Sequence, residues 1–245
     1  MNYGLIIEPP KPEDHVLGVS GPPFPEINPS GDWTAYLPSP EVQNLNGIEP
    51  YACVSFATSN VIETLVRFLF GQERNWSDRF LAKVSGTDER MGNSPQIVAQ
   101  AWRDNGCANE FDWSFDAKIT TFQKFYAILT NEIKTLARAT DAEYEVRYKI
   151  VPSNLEAIKQ ALTCSPLTFS THAWSRNPDG TYSRPQGETD NHDVMLYKLD
   201  DLFRIFDSYS NEGSVLKSIQ LNSTPMVCYA YQITRKVANE QSWIQ

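Results

Sequence analysis

Tyr51-Ala52-Cys53-Val54-Ser55-Phe56-Ala57 opens a run of apolar residues at helical spacing. Pro50 precedes it, where a chain can enter a helix but cannot continue one. Ala57, Val61, Leu65 and Phe68 recur on one side, with Phe56, Ile62, Val66 and Leu69 beside them, and no Gly or Pro interrupts until Gly71. The pattern predicts a largely buried helix from about residue 53 to 70. Cys53 then lies in the first turn, where unpaired N–H groups and the positive end of the helix dipole favour a thiolate, the nucleophilic form. Cysteine is also among the most buried residue types, so position alone leaves a nucleophile and a structural core thiol both open.

A nucleophilic thiol needs a base, and the base needs an orienting partner. The chain has three histidines, His15, His172 and His192. His192 stands at the mouth of a predicted strand, His192-Asp193-Val194-Met195-Leu196-Tyr197. Further on, Phe203-Arg204-Ile205-Phe206-Asp207-Ser208-Tyr209 alternates apolar and polar residues as far as Asp207. Adjacent strands joined by a short turn would bring His192 and Asp207 face to face, and Asp207 would hold the imidazole in the useful tautomer. His172 is the second candidate for the base, and His15 lies in a Pro-rich segment. Asp190 and Asp193, which flank His192, read as solvated loop charges. Cys107, Cys164 and Cys228 read as core residues, Ser55 and Ser59 lack the strained turn of a serine nucleophile, and no phosphate loop, HExxH helix or calcium loop occurs.

These residues carry a resemblance. The order Cys, then His about 140 residues later, then Asp about 15 further on, is similar to that of the papain-like cysteine peptidases. Cys53-Val54-Ser55-Phe56-Ala57 resembles the family's Cys-Trp-Ala-Phe helix start, His192-Asp193-Val194 its His-Ala-Val strand, and Asp207-Ser208-Tyr209 its Asn-Ser-Trp segment. The resemblance covers about residues 40 to 235 and implies an α+β fold of two lobes, one helical and one an antiparallel sheet, with the active cleft between them. It implies Cys53 as nucleophile, His192 as base and Asp207 as its orienting partner. Asp207 stands where papain has Asn, and Tyr209 where a Trp covers the pair. At the place of the family's oxyanion Gln this chain has Gly47; Gln43 lies four residues upstream and would return to that role through an insertion within residues 44–49. Asn46 is the second candidate. The acidic chain also resembles papain-like proteins encoded by tailed bacteriophages.

Composition narrows the classes. The 245 residues suit one large domain or two small lobes, and 41% hydrophobic content with six Trp excludes wholesale disorder. A formal charge of −9 argues against a nucleic-acid or anionic-membrane binder. No apolar run approaches the roughly 18 residues of a membrane span. The start, Met1 to Glu8, lacks the pattern of a signal peptide, which suggests a cytoplasmic or virion-associated protein. The four Cys are far apart, so neither a zinc site nor any cofactor is expected. In secreted papain relatives a disulfide begins at the position of Pro50, and its loss points to a reducing interior or to another export route.

Residues 1–40 are Pro-rich and read as an extended arm rather than a domain. Trp33 would pin this arm to the surface, or the arm would cross the cleft or dock on a viral or other protein assembly. The 52 residues before Cys53 are too few for the long prodomain of the secreted relatives. Residues 41–245 are then the papain-like domain, with a helical lobe at about 41–140, a β lobe at about 141–235 and a tail at 236–245. Helices are expected near 76–82, from Ser94-Pro95 to about 104, over about 122–138, and after a Ser153–Glu156 capping box; strands are expected at 144–151, 166–174, around His192 and Asp207, and at 226–234. Two functions fit: a peptidase acting on peptide or protein substrates, or a papain-like module kept for structure or binding.

Overall fold

The computed structural model describes residues 3–211 and 214–236, so residues 237–245 of the expected tail lie outside it. The predicted central helix is α1, Cys53–Phe70, ended by Gly71 in the left-handed conformation. Residues 53–66 are buried on every face, polar ones included. By length and composition α1 would reach across a membrane, contrary to the expectation from hydropathy, but it is the core helix. It packs against α2 (Asp78–Val84), α3 (Pro95–Asn105) and the sheet. Ser77 caps α2 by accepting the Phe80 N–H, and Ser94 caps α3, with Pro95 in its first turn.

The single helix expected over 122–138 is two, α4 (Phe122–Phe125) and α5 (Asn131–Glu143). Thr130 restarts the chain by capping Ile133, while Ile128, assigned to the apolar side, is 88% exposed. α6 (Leu155–Leu162) is capped by Asn154, which accepts the Ala157 N–H, so the Ser153–Glu156 box does not form. Ser153 hydroxyl turns to the Met226 carbonyl instead.

The remaining elements make one antiparallel sheet. Its strands are β1 (Tyr144–Ile150), β2 (Leu167–Thr171), β3 (His192–Leu199), β4 (Phe203–Asn211), β5 (Ser214–Ile219) and β6 (Cys228–Arg235), in spatial order β1-β6-β2-β3-β4-β5. β3 and β4 form the expected neighbouring pair, with Leu196 opposite Ile205 and Met195 opposite Phe206. α1 lies across this sheet, chiefly over β3. Helical lobe, sheet lobe and intervening cleft make an α+β fold.

The Pro-rich segment is bound at several points. Leu17 N–H reaches the Ile150 carbonyl and Ile150 N–H the His15 carbonyl, which extends the sheet beyond β1. Trp33 is wholly buried, donates from Nε1 to the Leu162 carbonyl at 2.9 Å and from its backbone N–H to the Tyr197 carbonyl at 3.0 Å. Trp33→Ala is expected to lower unfolding free energy by about 3–5 kcal/mol in denaturant titrations, the cost of a large buried cavity plus an unpaired carbonyl. Phe111→Ala, at a side chain 97% exposed, should stay within about 0.5 kcal/mol of the parent.

Candidate active site

Tyr51 holds a left-handed backbone, φ 56°, as the chain turns into α1, and no side chain caps the helix start at Ala52. The first turn of α1 therefore presents backbone N–H groups where Cys53 stands. α1 packs on β3, and the Asp193 backbone amide lies within electrostatic reach of the Cys53 thiol, where it favours the thiolate. Cys53 is wholly buried. Burial pushes its thiol well above the ordinary range, and the Asp193 carboxyl adds to this, followed by Glu49 and Asp207. The expectation of a thiolate from helix position alone is thus corrected for the covered site: desolvation and neighbouring carboxyls outweigh the helix end.

His192 and Asp207 meet across β3 and β4. His192 Nε2 lies 2.6 Å from Asp207 Oδ1, both side chains being wholly buried. His192 Nδ1, on the other side of the ring, is buried and has no hydrogen-bond partner among the described residues. The second Asp207 oxygen accepts from Lys217 on β5. Aromatic rings enclose the imidazole: Tyr209 at 5.2 Å, Trp174 at 5.3 Å and Tyr3 at 5.6 Å between centroids. Tyr209 stands in the Trp's place and packs on His192, and Trp174, from the loop after β2, shares that task.

Gln43 is wholly buried beside this pair. Its backbone N–H bonds to the Ser208 carbonyl at 2.8 Å, and its side-chain oxygen accepts from the Ser208 hydroxyl at 2.8 Å. Its Nε2 donates to Glu49 Oε1 at 2.8 Å and to the Tyr209 hydroxyl oxygen at 2.6 Å. The Tyr209 hydroxyl in turn donates to Glu49 Oε2. Asn46 is elsewhere: its amide donates to the carbonyls of Asp116 and Ile119. The His172 ring bonds at 3.0 Å to the Thr189 carbonyl. Asp190 and Asp193 are buried rather than solvated. Asp190 accepts from Arg184 at 2.7 Å and from the Ser170 hydroxyl at 2.6 Å. Asp193 has no partner for either oxygen among the described residues, and burial pushes its carboxyl well up.

Residues 3–6 cross the cleft over these groups. Tyr3 N–H bonds at 3.0 Å to the carbonyl of Asn191, the residue before His192. Gln43 Nε2 is 3.4 Å from the Tyr3 carbonyl oxygen. On the helical side Asn93 N–H bonds to the Gly4 carbonyl at 2.7 Å, Ile6 N–H bonds to the Asn93 carbonyl at 2.9 Å, and Leu5 lies parallel to Asn93 with its side chain buried. The segment thus ties one lobe to the other and closes the site from above.

No family model and no curated protein matches the sequence. Solved structures do match the fold. The bromelain protease from Ananas comosus, in complex with the E64 inhibitor, superposes with a TM-score of 0.62 at 16% identity, over 82% of this chain and 96% of that one. Digestive procathepsin L 3 of Tenebrio molitor larval midgut gives 0.62 at 14%, over 89% and 73%. The Carica candamarcensis cysteine protease CMS1MS2, in complex with E-64, gives 0.59 at 18%, over 82% and 96%. The fold is papain-like. At these identities the likeness concerns architecture, and the comparison with phage-encoded proteins gains no support from it. Within the papain-like frame, sequence reasoning missed Lys217, Trp174 and Glu49.

Gly4 offers a way to open the cleft. Its φ is 113°, and a Cβ there would come 2.0 Å from the Tyr51 carbonyl oxygen. Gly4→Val is therefore expected to displace residues 3–6 and to speed alkylation of Cys53 by iodoacetamide by about tenfold or more, read by mass spectrometry. Cys107 and Cys228, both buried in the body of the protein, should keep their slow rates, which separates local opening from unfolding.

Proposed function

We propose that this chain is a thiol hydrolase acting on peptide amide bonds, with Cys53 as nucleophile, His192 as base and then acid, and Asp207 as the group that orients the imidazole. The observation that carries this reading is the 2.6 Å bond from His192 Nε2 to Asp207, which leaves His192 Nδ1 buried and without a partner among the described residues, one residue before the Asp193 that acts electrostatically on Cys53. The architecture shared with cysteine proteases supports it. Residues 1–40 are then an arm on a hydrolase body that begins near residue 41.

The chemistry follows from the groups. His192 Nδ1 takes the thiol proton as the sulfur attacks the substrate carbonyl carbon. The negative charge that forms on the carbonyl oxygen is met by N–H groups at the start of α1 and by the Gln43 amide. His192 passes its proton to the departing amine, and the acyl–sulfur ester is hydrolysed by water that His192 deprotonates. Asp207 fixes the ring and stabilises the imidazolium between these steps. Substrate must displace residues 3–6 to reach the sulfur, and Gln43 must be drawn from Glu49 to face the substrate carbonyl.

The engagement of Gln43 by Glu49, with the wholly buried Cys53, favours a second reading, a papain-like binding or structural module. Hydrolysis of a mixed fluorogenic peptide library by the Gly4→Val protein decides between them. The hydrolase reading expects turnover that Cys53→Ala abolishes and that Gln43→Ala lowers by about 10²–10³, the usual cost of one oxyanion donor. Asp207→Ala should lower turnover while leaving substrate binding nearly intact. Cys53 that becomes accessible and alkylates no faster than a free thiol at pH 6, with no turnover, would establish the binding module.

A further inference from the structure

Lys217 has no part in the chemistry above, yet it is a cation in direct contact with the site. It lies on β5 with its side chain 2% exposed, and donates to Asp207 Oδ2 and, at 2.5 Å, to the Tyr209 carbonyl. Its ammonium stands 4.8 Å from the centroid of the Trp174 ring, which packs in turn on His192. Asp207 therefore divides its oxygens, one to His192 and one to Lys217. Burying an ammonium is costly, and an apolar residue would serve packing better. Burial holds the Lys217 pKa below the ordinary lysine value, and the Asp207 carboxylate beside it works in the other direction.

A lone carboxylate buried against an imidazole would favour the imidazolium and oppose release of its proton. The proposed reaction needs His192 to take a proton and then give it up. We propose that Lys217 is a positioning residue: it orients Asp207 and offsets its charge, so that His192 meets a nearly neutral acceptor in fixed geometry. This rests on the hydrolase reading for its consequence in turnover. The other titratable groups facing the pair are Cys53 on α1, Asp193 on β3, Tyr209 on β4, Tyr3 in the segment across the cleft and Glu49 in the loop before α1; Asp190 is occupied by Arg184. Cys53, Asp193, Tyr209, Tyr3 and Glu49 are neutral or acidic, so none of them substitutes for the ammonium.

The sign follows from charge. A nearby cation favours the deprotonated form of every acid, so its removal makes both His192 and Cys53 hold their protons more tightly. The test is the pH titration of the histidine ring nitrogens by NMR in the full chain, with His15→Gln and His172→Gln used to assign the three signals. Lys217→Met should raise the His192 midpoint by about one pH unit, a tenfold gain in proton affinity. Asp207→Asn should lower the midpoint, and Asp207→Asn with Lys217→Met should return it to within about half a unit of the parent, because the two charge changes cancel. Lys217→Arg should leave it near the parent. A folded Lys217→Met protein with an unmoved midpoint overturns the proposal, as does a double variant that fails to return. Should Lys217→Met fail to fold, the comparison of Asp207→Asn with the double variant decides. On peptide substrate both limbs of the kcat/KM profile should move alkaline in Lys217→Met. The ring titration needs no turnover, so an inactive protein would sink the hydrolase reading while the charge relation was still decided.

Discussion

The structure depends on the complete burial of α1. A helix apolar on one side can rest on a surface, but residues 53–66 are buried all round, so protein must cover them on every side. The helical elements α2 and α3 and the sheet supply that cover. The consequence is geometric. The start of α1 comes to rest at the seam between the lobes, and the first residues of β3 come to rest against it. The hydrophobic effect, which is non-directional, thereby sets the start of α1 against the strand that carries His192, whose ring Asp207 holds from β4.

Those groups stand in a buried setting with a definite electrical character. Asp193, Glu49 and Asp207 surround the sulfur with carboxyls, and in the covered state the thiol keeps its proton. Lys217 offsets one of those charges at close range. Low-dielectric surroundings strengthen each of these effects, so the protonation state of the pair is set by how the cleft is closed as much as by which residues line it.

Much of this was legible in the residues. The unbroken apolar period from Cys53 to Gly71 marks α1, and the alternation around His192 and Asp207 marks two neighbouring strands, because both signals follow directly from burial on one face. β5 was not legible. Its inward positions are Val215, Lys217 and Ile219, while Leu216 faces outward and is 48% exposed. The alternation is broken by the very residue that serves Asp207, so the strand and its lysine were missed together. Trp174 and Glu49 act across long separations in sequence, through loops for which local pattern carries no signal. The cap at Asn154 instead of Ser153 shows the same limit on a smaller scale: two good capping residues stand side by side, and tertiary placement of Ser153 near Met226 chooses between them.

Trp33 gives the arm a second meaning. Fixed at that point and again along β1, residues 3–6 remain attached to the body whenever they leave the cleft. Their return is intramolecular. For a short tether the local concentration is on the order of millimolar, so any other occupant of the cleft would contend with a segment that cannot be diluted. Occupancy of the cleft is then governed by the length and stiffness of the tether from residue 7 to residue 14, with Pro9, Pro10 and Pro12 in it, and is independent of how much protein is present.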